Sequence, residues 1–274
     1  MVKNRLHLTK LRFTLRFRAD SQLPPFVGNM IRGAFGHALS RQCCEWDISR
    51  CAACGNVANC AYGSMFKAQN GESVPNPYVI SVPYPGMGHY RDGSTLDFSI
   101  VLCGSARRFE ADVVCAAKSM CTGSLRNTEL ADAWREYDRE WSDCGAETIE
   151  HCDALEVQFV TPTEIRSAGE AIADISFALL VDSLFGRIAG IIDHYTDSEF
   201  ELPYCLMERK PFIHSECDLR RERFSTSGQP IDGILGTVRY FGDVTRYLPY
   251  IDLGSQLHVG KKTTRGCGEY VFGI

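Results

Sequence analysis

The chain has 274 residues, a formal net charge of −5 and 45% apolar residues, which is enough chain to bury a core in one large or two small domains. The negative balance excludes a uniformly basic nucleic-acid binder, so RNA would have to meet a local basic patch. No apolar run reaches membrane-helix length and the N-terminus lacks a signal-peptide core, so we expect a cytoplasmic protein with no membrane contact. Several of the 13 cysteines stand singly in apolar segments, so we expect reduced thiols.

The first predicted element is a half-buried strand in LRFTLRFRA. Every second residue from Leu11 to Phe17 is apolar, and the opposite face carries three arginines, Arg12, Arg16 and Arg18. That face is either a solvated outer surface or one wall of a groove that holds an anion. The strand alone favours the solvated surface.

A helix is predicted over LPPFVGNMIRGAFGHALSRQCC, because two prolines suit a first turn and apolar residues recur at helical spacing from Val27 to Leu39. His37 falls at the edge of the apolar stripe, and Arg41 follows one turn later on the same flank. Burial and the neighbouring cation would disfavour the protonated imidazole, which suits a general base near pH 7. The alternative is a histidine that only fills the contact between helix and sheet, and the helix alone favours this alternative.

The segment CCEWDISRCAACGNVANCAYGSMF, residues 43–66, concentrates cysteines in a turn-rich stretch. One C-x2-C pair has a further thiol on each side, which matches the four thiolates of a structural zinc site, namely Cys44, Cys51, Cys54 and Cys60. An iron–sulfur cluster uses the same ligands, and free thiols without a metal are the third interpretation. The spacing leaves all three open.

Two strands are predicted next, in NPYVISVPYP and TLDFSIVLCGS. RRFEADVVCAAKSM follows as a helix with one apolar side. TELADAWREYDREW is predicted to be a second helix, because Leu130, Trp134, Tyr137 and Trp141 recur at helical spacing. The order strand, helix, strand, strand, helix is most of a ferredoxin-like unit.

The second half of the chain repeats this pattern. ALEVQFVTPTEI is a predicted strand, EAIADISFALLVDSLFGRIAGIIDHY is a long buried helix, and GILGTVRYFGDV, YLPYIDLGSQLHVG and the tail EYVFGI are predicted strands. The predicted fold is therefore α+β, with two tandem ferredoxin-like (RRM-like) βαββαβ domains. We expect the first domain over residues 1–150, with 43–66 as an inserted Cys-rich loop, and the second over residues 151–274.

A glycine-rich loop, GSQLHVGKKTTRGCG, precedes the last strand. It is not a Walker loop, because no Gly-Lys-Ser/Thr follows a first glycine after a four-residue gap. It is not a dinucleotide fingerprint either, because too few residues remain to start a helix. The two usual nucleotide cradles are therefore excluded for this cationic loop, and which anion it holds, if any, stays open at this point.

Four segments carry a resemblance to a known family, and they are LPPFVGNMIRGAFGHAL, CAACGNVANCAYGSMF, FVTPTEI with LVDSLFGRIAGI, and GTVRYFGDV with LGSQLHVGKKTTRGCGEYVF. On these segments the chain resembles the CRISPR repeat-processing endoribonucleases of the RAMP superfamily, whose hallmark is the glycine-rich loop near the C-terminus. The family fold is two ferredoxin-like domains. The segment CTGSLRNTELADAWREYDREW departs from the family, because it is more polar and helical than the usual glycine turn and strand.

The resemblance implies CRISPR RNA maturation, in which the repeat of precursor CRISPR RNA is bound and cut without a metal or other cofactor. The 2′-OH attacks the adjacent phosphate and leaves a 2′,3′-cyclic phosphate and a 5′-OH. The family often has a catalytic histidine in or after the first helix, which His37 matches, and Arg41 and then Arg32 are candidates for stabilising the phosphate. The alternatives are a non-catalytic subunit that binds CRISPR RNA in an effector complex and a metal or redox protein built on the cysteines.

For RNA binding, the resemblance points to the glycine-rich loop and to the arginines of RRER. Loop glycines would let backbone N–H groups approach phosphates, and loop cations would add charge, with the set Gly254, Gly260, Lys261, Lys262, Arg265, Gly266 and Gly268. The strand arginines would hold the stem or the flanking single strand of the repeat, with the set Arg220, Arg221 and Arg223. Other CRISPR effector subunits are further expected partners.

Overall fold

The structure is a computed structural model that describes residues 4–44, 51, 53–67, 74–123, 125–143, 150–167, 170–171, 174–203, 206, 213–224 and 230–274. The chain divides into two compact units. One is His7–Arg139, and the other joins Met1–Leu6 to Glu140–Ile274. Each unit contains one βαββαβ repeat, which is the predicted tandem ferredoxin-like architecture.

The first repeat forms a four-stranded sheet in the order β2-β3-β1-β4. Its elements are β1 (Arg5–Phe17), α1 (Gly28–Cys43), β2 (Tyr78–Ser81), β3 (Thr95–Cys103), α2 (Glu110–Met120) and β4 (Thr128–Ser142). The connections between these elements contain a two-residue strand pair, Ser21–Gln22 with His89–Tyr90. They also contain short 3₁₀ or π turns, which cover Val57–Asn59, Gly63–Lys67 and Gly104–Phe109.

The predicted alternation of β1 is confirmed. Leu11, Phe13 and Leu15 are each at most 2% exposed, and Phe13 stacks on Phe98 of the antiparallel neighbour β3 with ring centroids 4.9 Å apart. Each such side chain stabilises the fold by roughly 1.5–3 kcal/mol relative to exposure. The alternation therefore fixes which face of β1 packs into the core.

The second repeat has the same strand order, β6-β7-β5-β8. Its elements are β5 (Ala154–Thr163), α3 (Phe177–Tyr195), β6 (His214–Phe224), β7 (Ile231–Phe241), α4 (Leu248–Leu257) and β8 (Tyr270–Gly273). A two-residue strand pair, Arg166–Ser167 with Glu170–Ala171, follows β5, and 3₁₀ turns cover Thr245–Tyr247 and Thr263–Arg265. No helix within the described ranges is long and apolar enough to cross a membrane.

The long buried helix predicted in the second half begins later than its sequence pattern indicates. Ser176 caps α3 by accepting a hydrogen bond from the Leu179 amide at 3.3 Å, so the helix proper starts at Phe177. Its apolar residues from Phe177 to Tyr195 are buried at spacings of three and four, as expected for a helix that faces a sheet.

Two predicted elements are wrong. Residues 128–142 form the strand β4 rather than a helix, so the helical part of the predicted departure from the family is wrong. Residues 248–257 form the helix α4 rather than a strand, with Pro249 in its first turn. In β4 the side chains are mostly exposed, so the helical spacing of its aromatic residues did not mark a buried face.

The arginine face of β1 is matched by acidic residues of β4. Arg12 pairs with Glu136, and Arg16 and Arg18 both pair with Glu129, at 3.7 Å and 2.5 Å. The hydrogen bond from Arg18 lowers the pKa of Glu129. These cations are therefore engaged by neighbouring carboxylates, and the face is better described as a solvated charge ladder than as the wall of an anion groove.

Candidate nucleic-acid interface

An open pocket of about 340 Å³ lies between α1 and α2 in the first unit. Small residues, Ala34 and Ala38, form its floor on the α1 side, and the charged or polar lining comes from His37, Arg41 and Gln42. Ser119 and Met120 at the end of α2, and Thr122 and Gly123 just after it, contribute to the opposite wall. Two of the three predicted catalytic residues thus share one cavity.

His37 and Arg41 point away from the core of their unit. Ile31, Phe35 and Leu39 occupy the buried face of α1, whereas His37 and Arg41 are both exposed. The burial expected for His37 at a core boundary is therefore wrong. Within the described ranges, neither the imidazole nor the guanidinium has a hydrogen-bond or ion-pair partner, so both are available to a ligand.

Gln42 is held in place at the edge of the same pocket. Its side-chain amide donates to the Asp112 carboxylate at 3.1 Å, which ties the end of α1 to the start of α2. Across the pocket the hydroxyls of Ser119 and Thr122 donate to backbone carbonyls of α2, at 2.9 Å and 3.0 Å. These hydrogen bonds orient Gln42 and the α2 side of the pocket, whereas His37 and Arg41 have no such partner in the described ranges.

Arg32, the third predicted catalytic residue, lies on another flank of α1. Its guanidinium sits over the Phe66 ring, 5.1 Å from the centroid, and Phe66 in turn packs on Tyr62 and Phe35. Such a cation–π contact stabilises by roughly 0.5–2 kcal/mol. Arg32 does not line the pocket that contains His37 and Arg41, so the structure gives it a packing contact instead.

The cysteine segment is only partly described, because residues 45–50 and 52 fall outside the described ranges. Cys51 is buried and Cys54 is exposed, and the Cys60 sulfur accepts a hydrogen bond from the Gly63 amide at 3.4 Å. Burial raises the pKa of the Cys51 thiol, and the nearby Cys44 and Cys60 thiols raise that pKa further. Within the described ranges no three His, Cys, Asp or Glu side chains converge closely enough to hold a metal, so the zinc site stays a prediction.

The glycine-rich loop turns back on itself through a series of left-handed residues. The backbone φ is positive at His258, Gly260, Lys262, Gly266 and Gly268, with values between 58° and 83°. At Gly260 a Cβ atom would overlap the carbonyl oxygen of Glu164, so only glycine fits there. The loop therefore packs closely against Glu164, the residue that directly follows β5.

Most of the predicted phosphate-binding amides in this loop already have acceptors. The Gly266 amide donates to Thr263 and the Gly268 amide donates to Pro162, both at 3.1 Å. Gly254 lies inside α4, where a Cβ would overlap the Tyr270 hydroxyl and Leu184. These three glycines serve the internal packing of the loop and its helix rather than an exposed anion nest.

The two loop lysines differ in their surroundings. Lys261 is exposed, and its amine has no hydrogen bond or ion pair to any residue in the described part of the chain. The Lys262 amine donates to the Glu164 carboxylate at 2.6 Å and to the Pro230 carbonyl at 3.1 Å. Arg265 is half-buried. The loop therefore presents one free lysine to solvent and uses the other internally.

The predicted RNA-binding arginines of β6 lie next to this loop. Arg221 makes a bidentate pair with Asp232 at 2.7 Å and 2.9 Å, Arg220 pairs with Glu222 at 3.1 Å, and Arg223 is exposed. The hydrogen bond from Arg221 lowers the pKa of Asp232, although burial opposes the shift, and the nearby charges of Arg223 and Lys262 lower that pKa further. The loop and the strand arginines, predicted separately, thus meet at one place.

We name the cations around this junction the loop–hairpin surface. Its members are Arg166, Arg221, Arg223, Lys261 and Lys262. Two acids, Glu164 and Asp232, hold three of these five cations in fixed positions. A preorganised group of cations beside an exposed lysine is suited to the backbone of a nucleic acid.

For three residues at these sites, the sequence did not predict a role. Glu164, Asp232 and Gln42 act by orienting the predicted residues, through hydrogen bonds to Lys262, Arg221 and the start of α2. A lone acid directly after the apolar strand in FVTPTEI is the one available signal, and its partner Lys262 lies 98 residues away. Spacing along the chain does not reveal such pairs.

Two family models and one relative match this chain. Residues 157–270 match the family model of the CRISPR-associated endoribonuclease Cas6, and residues 6–136 match a model described as an N-terminal domain. An uncharacterized protein of Archaeoglobus fulgidus is 22% identical over 97% of both chains.

Solved structures show the same fold. The product complex of a Thermus thermophilus Cas6 is 14% identical over 97% of this chain and 99% of that chain, with a TM-score of 0.62. A partial Cas6-RT-Cas1–Cas2 complex is 13% identical over 98% of this chain and 46% of that chain, with a TM-score of 0.65. Together with the family match, these results confirm the predicted resemblance.

Proposed function

We propose that this chain, a RAMP-type protein of the CRISPR repeat-processing family whose residues 157–270 form a Cas6 domain, binds the repeat of precursor CRISPR RNA and cuts within it. The observation that carries the cleavage step is that His37 and Arg41 line the same solvent-open pocket. A base and a cation that face the same cavity are the minimum that cleavage by the ribose itself requires.

The proposed reaction uses two groups of the chain and a proton from solvent. A His37 ring nitrogen takes the proton from the ribose 2′-OH, whose oxygen attacks the adjacent phosphorus. The bond from phosphorus to the 5′ oxygen breaks, and that oxygen takes a proton from solvent in the open pocket. Arg41 pairs with the non-bridging oxygens as negative charge builds up on them. The products are a 2′,3′-cyclic phosphate and a 5′-OH, and no metal ion takes part.

The loop–hairpin surface is the proposed holding site for the RNA backbone. Lys261 and Arg223 are the exposed members of this surface that pair with neither Glu164 nor Asp232, and they would neutralise phosphates. Double-stranded RNA is read mainly through its backbone and shape. The bound state of the similar Thermus protein, a product complex, is in keeping with this proposal. We place the activity in the cytoplasm, with a stem-loop or a flanking single strand of the repeat as ligand.

A non-catalytic subunit that binds CRISPR RNA is the second candidate. The described residues that line the pocket include one imidazole, that of His37, and no second side chain that could give a proton to the leaving oxygen. Such a site would cut slowly or only bind. One structurally similar chain comes from a Cas6-RT-Cas1–Cas2 complex, so assembly with other CRISPR proteins is part of this candidate function.

A cleavage assay separates the two candidates. Repeat RNA from the host's own array is incubated with the protein in EDTA, with His37→Ala as the test variant. His89→Ala is the matched control, because His89 is also exposed and lies in the same unit. Cutting by the wild-type and control proteins but not by His37→Ala supports the enzyme, and tight binding without cutting by any of them supports the subunit.

A further inference from the structure

Glu164 is the buried acid at the junction between β5 and the glycine-rich loop. It is 6% exposed, and its carboxylate accepts hydrogen bonds from Lys262 and Arg166, each at 2.6 Å. Its backbone carbonyl accepts the Lys261 amide at 2.9 Å. The same carbonyl is the atom against which Gly260 is packed. One residue thus contacts three consecutive positions of the loop, from 260 to 262.

We infer that Glu164 is a positioning residue that holds the glycine-rich loop in its RNA-binding conformation. In this assignment Lys262 belongs to the anchor, and Lys261 is the loop lysine that meets a phosphate. The inference rests on the proposed function, since it takes RNA as the ligand of the loop. The sequence predicts phosphate binding for Lys261 and Lys262 alike, whereas the inference gives that role to Lys261 alone.

The contacts of Lys262 support its place in the anchor. Its side chain is 17% exposed, and its amine bonds both the Glu164 carboxylate and the Pro230 carbonyl, which lies beside the start of β7. Its backbone is left-handed, with φ at 62°. A residue that adopts this conformation and forms two side-chain bonds is held by the fold, and withdrawing it would leave Glu164 buried beside a single cation.

The sign of one mutational effect separates positioning from simple electrostatics. A carboxylate near bound RNA repels phosphates, so replacing Glu164 with Gln would strengthen RNA binding if charge alone mattered. If Glu164 positions the loop, the same change frees Lys262 and the loop samples other conformations. The RNA affinity is then multiplied by the fraction of molecules whose loop keeps the binding conformation. For the loss of a buried charged hydrogen bond, we expect the affinity to fall on the order of tenfold.

The experiment measures binding of fluorescently labelled repeat RNA by the full chain across a series of salt concentrations. Lys261→Met should lower the slope of log K against log salt by about 0.7–0.9, the contribution of one phosphate contact, without changing the melting temperature. Glu164→Gln and Lys262→Met should each weaken binding, and the double variant should bind no more weakly than Lys262→Met alone. Lys262→Arg, which retains a cation within reach of Glu164, should bind the RNA with near wild-type affinity.

Two results would overturn the inference. One is Glu164→Gln binding RNA as tightly as the wild-type protein or more tightly, and the other is Lys262→Met behaving like Lys261→Met. If the wild-type protein does not bind RNA at all, it is the proposed function that fails. Hydrogen exchange over residues 259–268 then judges the anchor by itself, because Glu164→Gln should speed exchange of the Lys261 amide, and unchanged exchange would refute the anchor.

Discussion

Gly260→Ala tests the close fit of the glycine-rich loop against β5. The backbone φ at this position is 77°, and a residue with a Cβ loses roughly 1–2 kcal/mol in that conformation. The added Cβ also overlaps the Glu164 carbonyl oxygen, so the hydrogen bond from the Lys261 amide must lengthen or break. Loss of that bond costs about 1 kcal/mol more. We therefore expect the free energy of unfolding to fall by about 2–3 kcal/mol.

The matched control is Gly186→Ala in α3, in the same unit. Gly186 is exposed inside a helix, and an added Cβ meets no atom within 4 Å, so the substitution should stabilise by about 0.5–1 kcal/mol. Urea unfolding can be followed by the fluorescence of Trp141, which is buried in this unit and donates to the Pro249 carbonyl at 3.2 Å. Equal urea midpoints for Gly260→Ala and wild type, with Gly186→Ala shifted upwards, would refute the reasoning about the loop.

Three further predictions follow from other sites. Burial opposes but does not cancel the effect of Lys262 and Arg166, which lower the pKa of Glu164 below its ordinary 4.5. The ion pairs of Glu164 therefore stabilise the native state above pH 4.5, and this contribution is lost as pH falls through the lowered pKa. The difference in unfolding free energy between wild type and Glu164→Gln should therefore shrink in acid. Arg41→Ala should slow RNA cleavage by about 10²-fold while RNA affinity changes little, as single-turnover rates and binding curves would show. Elemental analysis decides among the three interpretations of the cysteine segment. One zinc per chain with a melting temperature that falls in chelator would support the zinc site, iron would indicate a cluster, and absence of both with unchanged melting would mean free thiols.

The sequence predicts the fold well where the hydrophobic pattern has a single interpretation. The alternation in β1 and the buried spacing in α3 each fit one period, and the tandem ferredoxin-like fold follows from their order. In β4 the aromatic residues Trp134, Tyr137 and Trp141 have helical spacing, but Trp134 is 43% exposed. What makes this segment a strand is its pairing with β1, more than 100 residues earlier, and its acids match the β1 arginines.

The helix α4 is the second segment whose sequence predicts the wrong element. Its buried residues Tyr250, Leu253 and Leu257 recur at helical spacing and Pro249 suits a first turn, so the helical pattern is present in the sequence. At the candidate site, sequence located the histidine, the arginines and the loop. It did not show that Lys262 is bound by Glu164 or that Arg32 lies over Phe66, because such partners are set by the tertiary fold.

The most direct test of the central proposal is the chemistry of the cut in EDTA. Wild-type protein should cleave repeat RNA without added metal and leave a 2′,3′-cyclic phosphate, and His37→Ala should be slower by about 10²–10⁴-fold. An RNA with a 2′-deoxyribose at the cut site should be bound but stay uncut, because the attacking oxygen is missing. Cleavage of that deoxy-substituted RNA, or His37→Ala cutting at the wild-type rate, would contradict the account.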